Sequence, residues 1–398
     1  MPGDRAESIG TMEPMLIGES SRFRGGLADL ALELAQKSAG LRRSLPSAIV
    51  PSLSGLVRSM NCYYSNLIEG HDTHPIDIER ALNNDYSTDA TKRNLQLEAA
   101  AHIAVQKWLD EGGLKTAPTS MSAITEIHRR FYEAVPGDLK LIEDPTTKEL
   151  VPIVPGAFRH RDVIVGQHIG VSPGAIPRFL ERFETVFGKL GSSETLLAAA
   201  AAHHRLVWIH PFLDGNGRVV RLMSHATLLQ VLDTGAVWSI ARGLARSVQE
   251  YKTHLANCDM HRRNDLDGRG TLSEEALFEF TVFFLNSCID QVNFMGSLLQ
   301  PDRLRARILI WAEEESRMGT LPPKSGLIVE ALLYRGELPR SAVADLVDVG
   351  ERQSRRIVAT LTEKGVITSE SSRAPLRLAF PAALASRWMP GLFPDRIG

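Results

Sequence analysis

The chain lacks the usual marks of an exported, membrane-spanning or generally nucleic-acid-binding protein. Its three cysteines, at positions 62, 258 and 288, fit no metal-ligand spacing and suggest free thiols in a reducing compartment. It has no apolar signal segment near Met1 and no run of about eighteen apolar residues. A formal net charge of −2 provides no general basic field. We therefore expect a soluble cytoplasmic protein without a membrane partner.

At 398 residues the chain is long enough for two or three domains. Residues 1 to 20 are polar and contain Gly and Pro, so we expect them to be loosely ordered. Helical patterns follow and are interrupted by a β-branched region between Pro136 and Pro177. A break at Gln300-Pro301 opens a last unit. We predict an N-terminal helical region at 1–110, a core at 111–300 and a C-terminal domain at 301–398.

The most informative segment is the stretch from His210 to Arg221, which reads His-Pro-Phe-Leu-Asp-Gly-Asn-Gly-Arg-Val-Val-Arg. A helical pattern precedes it, and the segment Val219 to Leu232 after it is apolar nearly all round, as in a buried helix. The segment is therefore predicted to be a loop at the N-terminus of an interior helix. Such a terminus has unpaired backbone N–H groups and a positive dipole, so it can bind an anion.

The side chains of this loop suit phosphate chemistry. Arg218 and Arg221 are three residues apart, so both guanidiniums can reach the same phosphates. Asp214 offers an oxygen ligand for Mg²⁺, and His210 can accept a proton from a hydroxyl. A simpler interpretation is a helix N-cap with a structural histidine. The combination of all these residues at this spacing favours a nucleotide-phosphate site with a general base.

The segment resembles the Fic family signature H-x-F-x-D/E-G-N-G-R-x-x-R at every defined position. The resemblance implies an all-α Fic core with a β-hairpin flap that transfers AMP from Mg·ATP to a Ser, Thr or Tyr hydroxyl of a protein. It implies that His210 is the base, that Phe212 anchors the loop and that Asp214 holds the metal. The phosphates would be bound by the remaining loop residues Gly215, Asn216 and Gly217 and by Arg218 and Arg221.

A second motif lies upstream, in Ser65-Asn66-Leu67-Ile68-Glu69-Gly70. Ser65 and Glu69 are four apart and share a helix face, and Gly70 is a typical residue after a helix end. In isolation, Glu69 would be read as a solvated terminal residue. Beside the phosphate loop, the segment matches the Fic inhibitory motif S/T-x-x-x-E-G/N. The resemblance implies that Glu69 pairs with Arg221 and keeps the γ-phosphate from its productive position.

Two further segments match the family less completely. Val163-Ile164-Val165-Gly166 is a short β-branched run after Phe158-Arg159, and it resembles the flap that docks an extended target segment. A structural hairpin is the alternative. Tyr251 stands where family members often have an aromatic residue in the adenine pocket, with Asn257 or Asp259 as the polar residue beyond it. Lys252 replaces a second aromatic there, so an ordinary core role for Tyr251 stays open.

The C-terminal unit resembles a winged helix-turn-helix. Helices are predicted at 327–334, 340–347 and 351–364, with wing strands at 365–368 and 376–378. Arg352, Arg355 and Arg356 could face DNA phosphates, but Glu351 and Glu363 dilute that charge, and winged helices also mediate protein docking and dimerisation. The leading hypothesis is an auto-inhibited protein adenylyltransferase that could also remove AMP. The alternative is a nucleotide-sensing, DNA-binding regulator.

Overall fold

A computed structural model describes residues 3–144, 148–166 and 168–394. These residues are mostly helical. The N-terminal and central helices are α1 Arg24–Arg43, α2 Val50–Ile68, α3 Pro75–Leu82, α4 Ala90–Asp110, α5 Met121–Ala134, α6 Ile176–Phe187, α7 Ser192–Ile209, α8 Asn216–Val231, α9 Ala241–Arg246, α10 Val248–Cys258 and α11 Glu274–Leu299. The C-terminal helices are α12 Pro301–Arg317, α13 Ser325–Arg335, α14 Val343–Val347, α15 Glu351–Glu363 and α16 Ala385–Trp388.

The strands are short and antiparallel. Two separate hairpins are formed by β1 Leu141–Glu143 with β2 Leu150–Pro152 and by β3 Ile164–Val165 with β4 His168–Ile169. The strands β5 Glu337–Leu338, β6 Ile367–Thr368 and β7 Leu376–Leu378 form a sheet in the order β5-β7-β6. A hairpin is present at the segment predicted at 163–166. The hairpin β1–β2 was not predicted, although it lies within the β-branched region noted in the sequence.

The helices α7 and α8 pack against each other at the centre of the core. Most of their side chains are buried, including an alanine run in α7 that allows close approach of the neighbouring helices. The helices α2 and α4 pack together, and α4 and α5 both contact α8, so the predicted inhibitory helix α2 lies close to the central helix. This packing brings residues 65–70 to the N-terminus of α8. The three cysteines are free and buried, as expected.

The expectation that the first twenty residues are loosely ordered is wrong for the part described. Met12 and Met15 are fully buried in the core. Asp4 accepts a 2.7 Å bond from Arg178, and Glu7 accepts a 2.8 Å bond from the backbone N–H of Ser172. The segment is therefore fixed by apolar anchors and by hydrogen bonds to partners about 170 residues away, which local composition cannot reveal.

The C-terminal elements agree in order with the three helices and two strands expected from the sequence, and β5 adds a third strand. This unit contacts the rest of the protein along α2. The hydroxyl of Tyr64 donates to the carbonyl of Leu392 at 3.1 Å, and the Phe393 ring meets that of Tyr63 edge-on. Within the described residues, no helix is long and apolar enough to cross a membrane.

Candidate functional site

The predicted phosphate loop lies between α7 and α8. His210 ends α7 in a left-handed conformation with φ 50°, and Gly215 begins α8 with φ 79°. Gly215 is the N-cap residue, and it has no side chain to bond the first N–H groups of the helix. The simpler interpretation of a helix capped by Asp214 or Asn216 is therefore not what the structure shows. A side chain at Gly215 would meet the Tyr132 ring, so glycine is needed here for its conformation and its size.

Phe212 and Asn216 stabilise the shape of the loop. The Phe212 ring is fully buried and stacks on His128, with ring centroids 3.9 Å apart. The side-chain amide of Asn216 accepts from the Phe212 N–H at 3.0 Å and donates to the Phe212 carbonyl at 2.8 Å. Phe212 thus lies where an anchor is expected. The amide of Asn216 bonds the loop itself, although the resemblance placed it on phosphate oxygens.

His210 is held as a neutral imidazole. Its Nδ1 lies 3.3 Å from the carbonyl of Val207, which can only accept, so Nδ1 carries the proton and Nε2 keeps a lone pair. Burial lowers the pKa of His210 to about 4. The ring is therefore unprotonated at neutral pH and can serve as a base.

Asp214 is an ionised carboxylate at the mouth of the loop. The hydroxyl of Tyr132 donates to its Oδ2, and Arg218 Nη2 donates to the same oxygen at 3.0 Å. Burial would raise the pKa of Asp214, but Arg218, Tyr132 and the N–H of Gly215 together keep that pKa below its ordinary value. The side chain remains 43% exposed, so the carboxylate can still bind a cation.

The guanidinium of Arg218 is buried and surrounded by acidic and aromatic groups. Besides Asp214, it bonds Oε2 of Glu98 at 3.3 Å and lies over the ring of Phe131. Glu98 also bonds Nδ1 of His71 at 3.1 Å. The hydrogen bond to Glu98 raises the pKa of His71. Arg218 is therefore fixed by α4 as well as by its own loop.

Arg221 bonds the end of α2. Its Nη2 donates to Oε1 of Glu69 at 2.5 Å, its Nε donates to Oγ of Ser65 at 2.9 Å, and the side chain is 3% exposed. Burial would raise the pKa of Glu69, but Arg221 and Arg218 hold it below its ordinary value. The pairing of Glu69 with Arg221 that the resemblance implies is present. Gly70 follows the helix with φ 86°, as expected for a residue after a helix end.

The Glu69 carboxylate also lies against the first turn of α8. A Cβ added at Gly217 would be 2.3 Å from Oε1 of Glu69, so only a glycine lets the carboxylate approach the backbone this closely. The side chain of Glu69 therefore covers the helix N-terminus where an anion would be attracted. One carboxylate meets both the backbone and the guanidinium of the predicted phosphate site.

Residues 118–228 of the chain match the model of the Fic/DOC family. The chain contains a Fic/DOC family domain. Two curated relatives named protein adenylyltransferase Fic are similar to it. The one from Drosophila erecta is 28% identical over 223 residues, which cover 53% of this chain and 42% of the relative. The one from Drosophila persimilis is 29% identical over 197 residues, covering 48% and 36%. The chain thus spans less than half the length of these relatives.

A solved structure of a Fic family protein from Desulfovibrio desulfuricans G20 has the same fold. It superposes with a TM-score of 0.51 at 15% sequence identity. The superposed region covers 89% of this chain and 96% of the chain in that structure. The similarity therefore extends beyond the matched domain to most of the helical architecture.

The segment predicted as a flap lies in the hairpin of β3 and β4. Ile164 pairs with Ile169 and Val165 with His168, while Val163 and Gly166 lie just outside the strand β3. The side chain of Ile164 is 75% exposed. His168 Nε2 bonds the carbonyl of Trp208 at 2.9 Å, which ties the flap to α7. The residues predicted as a flap thus lie in or beside a short exposed hairpin that is bonded to α7.

The residues predicted to line an adenine pocket, Tyr251 with Asn257 or Asp259, lie on α10 and at its C-terminal end. Tyr251 is buried, and its hydroxyl bonds Nε2 of His203 at 2.7 Å. Asn257 is exposed on α10, whereas Asp259 bonds Nε2 of His204 at 3.0 Å. Tyr251 is thus buried with a bonded hydroxyl, and its role at the base end of a nucleotide stays a prediction.

Four residues that contact the loop before α8 or its Arg218 were given no role from the sequence. Tyr132 and His128 lie four apart on α5, and Glu98 lies on α4, all outside any motif; Arg159 was noted only as part of the flap pattern. A signal was available for His128, because a polar residue at an inward position of an amphipathic helix needs a buried partner. Glu98 had no such signal, since its partners come from distant segments.

The described side chains could supply only part of the ligand set of a Mg²⁺ ion. The described residues contain no group of three or more His, Cys, Asp or Glu side chains that could hold a metal. Asp214 is ionised and partly exposed, and a single carboxylate completed by phosphate and water oxygens is a common Mg²⁺ site. The residues present therefore fit a metal that arrives with a nucleotide.

Proposed function

We propose that the protein is an auto-inhibited protein adenylyltransferase that transfers AMP from Mg·ATP to a hydroxyl side chain of a protein. The observation that supports this most is the neutral His210 imidazole on the same loop that begins α8. A base whose Nε2 keeps a lone pair and a helix terminus with two arginines then belong to one continuous loop and helix. The names of the curated relatives, protein adenylyltransferase Fic, support the same reaction.

In this proposal the triphosphate lies over the N-terminus of α8. The backbone N–H groups from Gly215 to Gly217 bind phosphate oxygens, and Arg218 and Arg221 neutralise the β/γ end. Asp214 would hold Mg²⁺, and the metal would supply positive charge to the triphosphate. Asn216 acts by shaping the loop through its two bonds to Phe212. Tyr251 and Asn257 remain our candidates for the base end of the nucleotide.

The proposed reaction is an in-line displacement at the α-phosphorus. The oxygen of the target hydroxyl attacks phosphorus while Nε2 of His210 accepts its proton. The bond from the α-phosphorus to the bridging oxygen breaks, and pyrophosphate leaves. The flap from Val163 to Ile169 would hold the target in an extended form beside His210, because an exposed strand can pair with another chain.

The proposed restraint is competition for one guanidinium. Arg221 bonds Glu69 and cannot bond a γ-phosphate in the same position, so ATP binds without its productive geometry. The charge-assisted bond contributes about 1.5–3 kcal/mol, which corresponds to roughly a ten- to hundredfold effect on a competing ligand. If Glu69 instead orients water for removal of AMP, the same residue supports the reverse activity.

We assign the C-terminal unit to a winged helix that docks proteins or forms a homodimer. On α15 the side chains of Arg352, Arg355 and Arg356 are exposed, but Arg355 bonds Glu351 at 2.7 Å on the same helix. This pairing weakens the positive face that DNA would require. The DNA-binding regulator is therefore the alternative that the test below must exclude.

The test is transfer from α-labelled ATP to protein by the wild-type chain and by Glu69→Gly. We expect labelling of the chain itself and of lysate proteins to rise roughly tenfold or more in Glu69→Gly. Labelled proteins identified by mass spectrometry then give the target and the modified residue. Unchanged labelling contradicts the restraint, and absence of transfer in both variants contradicts the activity. Salt-sensitive retention of DNA that is lost in Arg355→Ala would favour the regulator.

A further inference from the structure

Arg159 is a buried guanidinium bonded by backbone carbonyl groups. It is 3% exposed and follows Phe158 in the flap pattern. Its Nε donates to the carbonyl of His210 at 2.7 Å, and its Nη1 donates to that of Arg161 at 2.8 Å. Its Nη2 donates to the carbonyl of Val171 at 2.5 Å. The backbone N–H of Arg159 adds a 2.9 Å bond to the carbonyl of Pro211.

These acceptors belong to two functional segments. Arg161 precedes the strand β3 and Val171 follows the strand β4, so they mark the two ends of the flap hairpin. His210 and Pro211 form the start of the phosphate loop. One planar side chain therefore joins both ends of the flap to the backbone of the proposed base, in the fork geometry that only arginine offers.

The packing around this side chain leaves it little freedom. A Cβ at Gly170 would lie 2.9 Å from Nη2 of Arg159 and 3.1 Å from Val163, so the residue before Val171 must be small. Burial lowers the pKa of Arg159 to about 10, which still leaves it charged at neutral pH. His210 has a left-handed backbone, which for a residue other than glycine costs about 1–3 kcal/mol and persists only where neighbours enforce it. The Arg159 bond to the His210 carbonyl is such an enforcing contact.

We propose that Arg159 is a positioning residue that fixes the flap relative to Nε2 of His210 and so selects the target hydroxyl over water as the nucleophile. The inference rests on the proposed adenylyl transfer. In transfer, the hydroxyl oxygen bonds the α-phosphorus, pyrophosphate leaves and His210 takes the proton. In hydrolysis, a water oxygen makes the same bond and AMP is released. Water needs no flap, whereas a target side chain held by the flap does.

The partition between these two products is therefore the measurement. In the Glu69→Gly background, labelled AMP on the protein and free labelled AMP are quantified from the same reaction with α-labelled ATP. For Arg159→Met we expect the ratio of attached to free AMP to fall roughly tenfold or more. Misplacing a reacting group by about 1 Å lowers the rate of its reaction by at least that factor. The affinity for ATP should stay within about twofold, since Arg159 does not touch the phosphate end.

Three further variants make the result unambiguous. Arg159→Lys keeps the charge but loses the fork, and it should recover only part of the ratio. Gly170→Ala keeps Arg159 and crowds its Nη2, so it should lower the ratio even if Arg159→Met fails to fold. Arg305→Met is the control, because Arg305 pairs with Glu330 in the C-terminal unit.

The outcomes separate this inference from the proposed function. If both products fall by the same factor in Arg159→Met and Gly170→Ala, the residue is merely structural and the inference is wrong. If the Glu69→Gly parent forms neither product, the adenylyl-transfer proposal itself fails.

Discussion

Arg159 and Arg221 lie at opposite ends of the same site, and both are 3% exposed. Their partners differ. Arg159 bonds backbone carbonyls at the ends of the β3–β4 hairpin and in the loop before α8, while Arg221 bonds the Glu69 carboxylate and Ser65 at the end of another helix. A carbonyl cannot leave its arginine unless the backbone moves. A carboxylate at a helix end can rotate away, and a phosphate can take its place.

Burial alone therefore does not distinguish a fixed guanidinium from an exchangeable one. In the proposed mechanism the nucleophile end is built from neutral acceptors and a neutral imidazole, so we expect its geometry to stay constant. The phosphate end is built from ion pairs among Asp214, Arg218, Glu98, Arg221 and Glu69, so a bound anion can rearrange it. We therefore expect changes at the two ends to have different consequences.

The largest effect is expected at the nucleophile end, from His210→Ala in the Glu69→Gly background. Loss of the base should slow AMP transfer on the order of a hundredfold or more. Binding of ATP should be nearly unchanged, because His210 does not belong to the phosphate end. The rate is measured with α-labelled ATP and the binding by calorimetry. Retained transfer would show that another group accepts the proton.

The next effect is expected at the phosphate end, from Asp214→Asn or removal of divalent cations. The neutral side chain keeps its shape but should bind Mg²⁺ far more weakly, so transfer should fall about tenfold or more at millimolar Mg²⁺. Higher Mg²⁺ should recover part of the loss in Asp214→Asn. Binding of Mn²⁺ with ATP, followed by paramagnetic resonance, gives a readout apart from activity. Equal Mn²⁺ affinity in both proteins would rule out the assigned ligand.

The pH dependence of the AMP-transfer rate tests whether His210 is a neutral imidazole. Because burial lowers the pKa of His210 to about 4, the base is unprotonated throughout the range from pH 6 to 8. Transfer by Glu69→Gly should therefore not decrease as the pH falls from 8 to 6, whereas an ordinary histidine with a pKa near 6.5 would lose much of its activity. A half-maximal rate near pH 6.5 would contradict the assigned environment of His210.

The stability of the folded protein sets the lowest pH at which this rate can be measured. Burial also lowers the pKa of His128 and His204 to about 4 and that of His203 to about 3. The unfolded chain then binds more protons than the folded chain between about pH 4 and 6.5, so the free energy of unfolding decreases as the pH falls through this range. Urea unfolding at each pH shows over which pH range the measured rates come from folded protein.

The smallest effect is expected from Ser65→Ala. This change removes one acceptor of Arg221 Nε but leaves the bond to Glu69, so the restraint should loosen only slightly. A hydrogen bond of about 1 kcal/mol predicts a rise in automodification of a few fold at most. A rise as large as that of Glu69→Gly would mean that Ser65, and not the carboxylate, holds Arg221.

The sequence predicted the parts of the site that are local. The loop before α8, the end of α2 at Gly70 and the hairpin near Ile164 follow from glycine positions, apolar patterns and motif spacing. The support of the site was not predictable in the same way. Tyr132 reaches Asp214 from 82 positions upstream, and Glu98 reaches Arg218 from 120 positions upstream. Such contacts depend on how helices pack, which one chain's pattern does not encode.

The prediction that residues 1 to 20 are loosely ordered was wrong for the residues that the structure describes. Its polar composition indicated disorder, but Met12, Met15 and Ile17 are apolar anchors set between charged residues that find partners on α6. Short apolar anchors of this kind have no helical or strand period. Their role becomes visible only once the receiving surface is known.

The central claim is that Glu69 and the γ-phosphate compete for Arg221, and the most direct test is the affinity for ATP against that for ADP. Glu69→Gln keeps the shape of the side chain and removes its charge. We expect ATP to bind roughly tenfold more tightly to this variant while ADP changes little, because only ATP has the γ-phosphate. The control is Glu111→Gln, whose carboxylate lies on the surface 3.7 Å from Lys107. Equal gains for ATP and ADP, or no gain for ATP, would contradict the claim.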